Sequence, residues 1–117
     1  MSKPRLEFHQ PEDRRHRPPG SAEGIWQQDL SRDPDTGDAT VVQRYDPGVD
    51  GTSHGVIEHE FWEEVVLLSG ELTDVTLGRT FTTGMYACRP PGMQHGPYRS
   101  GEGCTMFVTI TYPRLSD

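Results

Sequence analysis

From residue 104 to residue 112 the chain alternates, with Met106, Val108, Ile110 and Tyr112 on one side of an extended segment and Thr105, Phe107, Thr109 and Thr111 on the other. A period of two marks a strand with one face against a core. Further short runs of strand-forming residues occupy 25–30, 40–45, 56–61, 63–68, 72–77, 80–82 and 85–89. Turn formers separate them: Asp33-Pro34-Asp35-Thr36-Gly37-Asp38, then Asp46-Pro47-Gly48, then Asp50-Gly51. The pattern predicts roughly eight or nine strands and no helix. Val65-Val66-Leu67-Leu68 is apolar in both registers, so it needs cover on both faces, from a second layer of sheet or from a partner subunit. A homodimer is therefore expected. Short strands at regular spacing close into a sandwich or barrel, and about eight of them enclose one small ligand. Residues 1–22 break the pattern. Leu6 and Phe8 are almost their only large apolar groups, and Pro4, Pro11, Pro18 and Pro19 interrupt any ladder. This stretch is expected to be an irregular N-terminal arm, flexible or edge-covering, with 23–117 as the single folded domain.

Composition narrows the function. With 13 glycines and 10 prolines in 117 residues the backbone must turn often, which again disfavours helices. The net charge of −7 is uneven: residues 1–22 hold five basic and three acidic side chains, leaving −9 for the remainder. A body that acidic repels phosphate backbones, so nucleic acid is not an expected partner. The basic run Arg14-Arg15-His16-Arg17 lies beside Glu12 and Asp13, as in a solvated arm. No apolar run approaches the roughly 20 residues that span a bilayer, and no apolar leader follows Lys3; a cytoplasmic protein without membrane contact is expected. Cys88 and Cys104 are then reduced thiols.

The candidate chemistry sits between the strands. His59 and Glu63 stand four apart, and in an extended segment that parity sends both side chains to one side, into a barrel interior. A buried carboxylate costs several kcal/mol unless a cation or a hydrogen-bond network compensates it, so Glu63 calls for a partner, which a divalent metal would supply. His95 follows Pro90-Pro91-Gly92-Met93-Gln94, a rigid turn able to fix where the imidazole points. Two imidazoles and one carboxylate with open positions form the facial arrangement of non-haem iron(II) centres, which zinc also accepts.

Residues 84–95 resemble the second motif of the cupin superfamily, G(X)5PXG(X)2H, through Gly84, Pro90, Gly92 and His95, with Arg99 where that motif ends in asparagine. Residues 51–70 are similar to the first motif, G(X)5HXH(X)3E(X)6G, through Gly51, His59, Glu63 and Gly70, with Ile57 in place of its first histidine. Within the superfamily the chain looks most like the ChrR-like cupin domain of zinc-binding anti-sigma factors and its stand-alone relatives, some of them dioxygenases that cleave diketones or hydroxylated aryl ketones. The resemblance implies an all-β fold, the RmlC-like jelly roll, a double sheet closed as a β-sandwich or barrel. It also implies a metal inside, held by His59, Glu63 and His95.

Other residues carry two readings each. His54 or Glu64 could replace the donor lost at Ile57, or both could be solvated. Cys88 and Cys104 read as inert core packing rather than ligands. Tyr86 is retained as a catalytic candidate beside the three ligands, whereas Tyr45, Trp62 and Tyr98 read as core or interface. Arg89 and Arg99 flank the motif loop, where a guanidinium could grip a substrate carboxylate or enolate, or face solvent. The expected function is that of a metal-dependent oxidoreductase of dioxygenase type acting on a small enolisable ketone or phenolic acid. Fe(II) is favoured, with Zn, Mn or Ni as other occupants. The competing expectation is a non-catalytic cupin that binds or senses a small molecule with a structural metal or none.

Overall fold

The computed structural model describes residues 2–114. Along them run β1 (Arg15–His16), β2 (Ile25–Arg32), β3 (Ala39–Tyr45), β4 (Val49–Asp50), β5 (Trp62–Asp74), β6 (Arg79–Thr82), β7 (Tyr86–Arg89), β8 (Tyr98–Ser100) and β9 (Cys104–Thr111), with one short helical turn at Thr52–His54. Turn chemistry sets the boundaries. After β2, Asp33 Oδ1 accepts the N–H groups of Asp35 and Thr36 at 2.9 and 3.4 Å, and Gly37 takes a positive φ, so the chain reverses into β3.

All pairings are antiparallel and fall into two sheets. One runs β1-β2-β3-β9-β5-β7; the other joins β4, β8, the distal end of β5, and β6. β5 belongs to both. It pairs with β9 and β7 through residues 62–70 and with β6 and β8 through residues 71–74. The changeover is a bulge at Leu67–Ser69 followed by Gly70 at φ 79°, where a Cβ would overlap the carbonyl oxygen of Gly103. The expected strands 63–68 and 72–77 are thus one strand of 13 residues, because Ser69-Gly70 bends the ladder without breaking it. The architecture is the all-β double sheet of a jelly roll.

Residues 56–61 differ from expectation in the other direction. Only Ile57 forms a bridge, to His95. Opposite residue 59 the facing chain turns, with the Met93 N–H donated to the Pro90 carbonyl at 3.1 Å, so the ladder does not extend. Tyr98–Ser100 was not anticipated as a strand; it is short and its apolar signal is a single tyrosine.

The alternation along β9 holds: Cys104, Met106, Val108 and Ile110 are buried, and Val41 and Val108 are sealed from solvent. Val65 and Leu67 point into this core, while Leu68 and Phe107 on the other side of the sheet are exposed. The second sheet therefore covers one face of that apolar run and leaves the other bare. Cys104 packs in the core as expected; Cys88 does not, being exposed on β7, where the inward positions belong to Ala87 and Arg89. The arm lies along the first sheet: Arg15 and His16 pair with Gln28 and Gln27 of β2, and Lys3 Nζ donates to Thr40 Oγ1 at 3.0 Å. Among the described residues no helix is long and apolar enough to cross a membrane.

Candidate metal centre

His59, Glu63 and His95 converge, their ligand atoms lying within 4.8 Å of one another. Three different devices deliver them. Glu63 is an inward position of β5 and is buried. His95 is placed by the motif loop, whose backbone locks onto Ile57 through reciprocal N–H···O bonds of 2.7 and 2.9 Å. His59 is placed by the same loop, since the Gly92 N–H donates to the His59 carbonyl at 2.9 Å, and its ring stacks on Phe61 at 4.5 Å. The parity argument for His59 thus gave the right destination through a strand that is absent.

The electrostatics correct one expectation. Glu63 has a cationic partner within the chain: Arg89, directly across from it on β7, donates from Nη1 to Glu63 Oε1 at 2.6 Å. Both side chains are largely buried, so the carboxylate by itself does not require a metal ion. The demand comes instead from His95. Its Nδ1 lies 3.0 Å from the Tyr98 hydroxyl, which also accepts Arg89 Nη2 at 2.7 Å. Its Nε2 is buried and has no hydrogen-bond partner. Burial, followed by the charge of Arg89 and the neighbouring His59, pushes the His95 imidazole down to about pH 3, so the ring is neutral at ordinary pH. In the tautomer that donates Nδ1–H to Tyr98, Nε2 presents a bare lone pair.

That atom faces the other two donors. His95 Nε2 is 4.0 Å from Glu63 Oε1, and His59 Nε2 is 3.7 Å from Glu63 Oε2. Donors about 2.1 Å from a shared ion stand about 3.0–3.4 Å apart in facial or tetrahedral sets, so these pairs lie within about 1 Å of ligating separation. The donor set therefore fits a divalent cation.

Tyr86 is not brought to this cluster. It alternates out of the barrel on β7, is half-exposed, and donates its hydroxyl to Glu64 Oε1 at 2.5 Å. Glu64, the candidate for a register slip, is thereby accounted for outside. His54 is exposed on the Thr52–His54 turn and is not part of the cluster, and Ile57 packs against the core. Arg89 is inside, not at the surface, and Tyr98, read from the sequence as core or interface, is buried in the core and in addition bonds to His95. Arg89 shares the parity of Ala87 and so its inward face; the position of Tyr98 three residues after His95 is the cue to the second.

The sequence matches the ChrR Cupin-like domain over residues 7–112. The chain belongs to the ChrR cupin-like family. Solved structures agree on the fold of this cupin. An RmlC-like cupin from Shewanella frigidimarina is similar over 99% of this chain and 98% of its own, with TM-score 0.70 and 19% identity. An acetylacetone dioxygenase from Acinetobacter johnsonii matches over 92% of this chain and 75% of its own, with TM-score 0.71 and 19% identity. KdgF from a Halomonas species matches over 80% and 83%, with TM-score 0.59 and 18% identity. No curated protein matches the cupin by sequence.

Proposed function

We propose that this cupin is a metal-dependent oxidoreductase of dioxygenase type whose substrate is a small enolisable ketone or phenolic acid. The observation that carries the reading is the buried, unpartnered Nε2 of His95 aimed at Glu63 and His59. An isolated buried acceptor of this kind costs about 1–3 kcal/mol, and a cation at that point removes the cost. Such an ion, bound by His59, Glu63 and His95, would supply Lewis acidity and, as Fe(II), reactivity with oxygen.

The chain's own residues do the rest. Tyr98 holds the His95 ring in the tautomer that ligates, and Arg89 fixes Glu63 through Oε1, leaving Oε2 toward His59. Val65, Leu72 and Met106 form an apolar wall of a cavity of about 360 Å³ around the three donors, and residues 18–22 of the arm line it as well. A ligand there needs two oxygens to reach open positions on one ion, which an enolised diketone or hydroxy ketone provides. The likeness in fold to an acetylacetone dioxygenase supports the same class.

A second reading, a binding or sensing cupin without turnover, is favoured by Ile57 at a donor position and by Arg89 already neutralising Glu63. Elemental analysis of protein purified without a chelating tag separates the two. Iron, manganese or nickel near one equivalent, lost in His95→Ala, together with oxygen uptake on a panel of diketones and hydroxyaryl ketones, supports the enzyme. Zinc alone, or metal without oxygen uptake, supports the binding module. Unchanged metal content in His95→Ala removes the site itself.

A further inference from the structure

A second cavity, of about 400 Å³, adjoins the metal chamber. The two share the polar residues Arg89, His95 and Tyr98 and the apolar residues Val56, Val65, Leu72 and Met106, but only the metal chamber touches His59 and Glu63. The outer cavity is bounded by Leu72 and Phe81 within and by Val56, Leu77, Met85 and Met93 at its mouth. Those four mouth residues are exposed by 43–60%, so large apolar side chains gather around one opening. Their clustering at a concave site of this volume is the ordinary form of a small-molecule pocket.

The polar groups of the wall define the occupant. Asp74 is buried, and its two oxygens accept the N–H groups of Leu77 and Gly96 at 3.0 and 3.3 Å. Thr76 donates its hydroxyl to the Gly96 carbonyl at 2.7 Å, and Gln94 reaches Glu58 at 3.4 Å. Arg89 is held by Glu63 and Tyr98, and Tyr98 by His95. A polar ligand atom would lose its hydration and find each of these groups already engaged. An anion would in addition meet the buried Asp74 carboxylate, while the charge of Arg89 is taken up by Glu63.

We propose that this cavity is a second binding site, which touches His95 but neither His59 nor Glu63, and that it takes an uncharged aromatic or aliphatic molecule of about naphthalene size. The occupant rests on the Arg89–Tyr98 pair, which on its far side fixes Glu63 and His95. Binding itself needs neither the metal nor turnover, so it stands or falls independently of the enzymatic reading.

The test is a fluorescence titration of the full chain, stripped of metal and then metal-loaded, with neutral N-phenylnaphthylamine and with anionic anilinonaphthalene sulfonate. Saturable binding of one neutral probe per chain is expected in both states, with the sulfonate about tenfold weaker or more, equivalent to about 1.4 kcal/mol. Leu77→Glu and Met93→Glu, each at an exposed position that the fold tolerates, are expected to weaken the neutral probe about tenfold, and Ala87→Leu, which fills the cavity from β7, to do the same without adding charge. His59→Ala should leave probe affinity unchanged. No saturable binding, equal affinity for the two probes, or affinity indifferent to all three cavity variants would overturn the proposal. So would a wild-type dimer that excludes the probe and becomes monomeric in Leu77→Glu, since a second copy would then be what covers the mouth.

Discussion

In the cavity lined by residues 18–22, His95 carries a buried ring nitrogen with nothing to bond; in the cavity lined by Leu77, Met85 and Met93, the side chains of Asp74 and Thr76 are engaged by neighbours. The two cavities share Arg89, His95 and Tyr98, so the contrast does not come from different surroundings at large. It comes from how three side chains are turned. Arg89 and Tyr98 direct hydrogen bonds to Glu63 and to His95 Nδ1, and His95 Nε2, on the metal side, is left without a partner. One partition thus prepares one cavity for an ion and the other for an uncharged body.

Breaking that partition has the largest expected effect. Arg89→Met strands a buried carboxylate, and the metal-stripped protein should lose about 3–5 kcal/mol of stability in urea unfolding. A divalent ion should restore part of it by compensating Glu63, whereas no neutral ligand of the apolar side should do so. Tyr98→Phe keeps the volume and removes only the hydroxyl that orients His95. Metal affinity, measured by competition with a chelator, should fall about 10–100-fold while the fold is retained.

The pH response sharpens the contrast. For the metal-stripped protein, the unfolded chain protonates His95 near pH 6.5 and the folded chain only near pH 3. The unfolded state therefore binds the extra proton between those values, and stability is complete above pH 6.5 and declines as the pH falls through that window. Thermal melts from pH 8 to pH 4 read this directly, and His95→Gln should flatten the curve. The smallest effect belongs to the apolar rim. Leu77→Ala, at a residue 60% exposed, should change stability by no more than about 0.5 kcal/mol and leave metal content untouched, as denaturant melts and elemental analysis would register.

Much of this was legible in the sequence, and the losses follow a rule. The period-two pattern of β9 and the spacing of Gly51, His59, Glu63, Gly84, Pro90, Gly92 and His95 led to the double sheet and to the three converging donors, because those features are local or carried by fixed turns. Partnerships across strands were hidden. Glu63 needed a cation, and an ion was the obvious answer until the register placed Arg89, 26 residues later, directly opposite. Tyr86 and Cys88 were misplaced together, since both share the outward parity of β7 and nothing in four residues of mixed character announces which face is inside. Residues 69–71 separated two expected strands, yet the positive φ of Gly70 follows a bulge that carries one strand from sheet to sheet.

The arm described along β2 has a consequence for handling the protein. Arg15 and His16 occupy the hydrogen-bonding margin of the first sheet, and Gln28 Nε2 is tied to the Glu12 carbonyl at 2.7 Å. Trimming the chain before Gly20 would uncap that margin and present a row of unmatched amides to any passing copy, the template from which sheets grow into aggregates. The proline-rich leader is thus a sheath as much as a wall of the chamber, and shortened versions made for crystallisation should be the first to cloud.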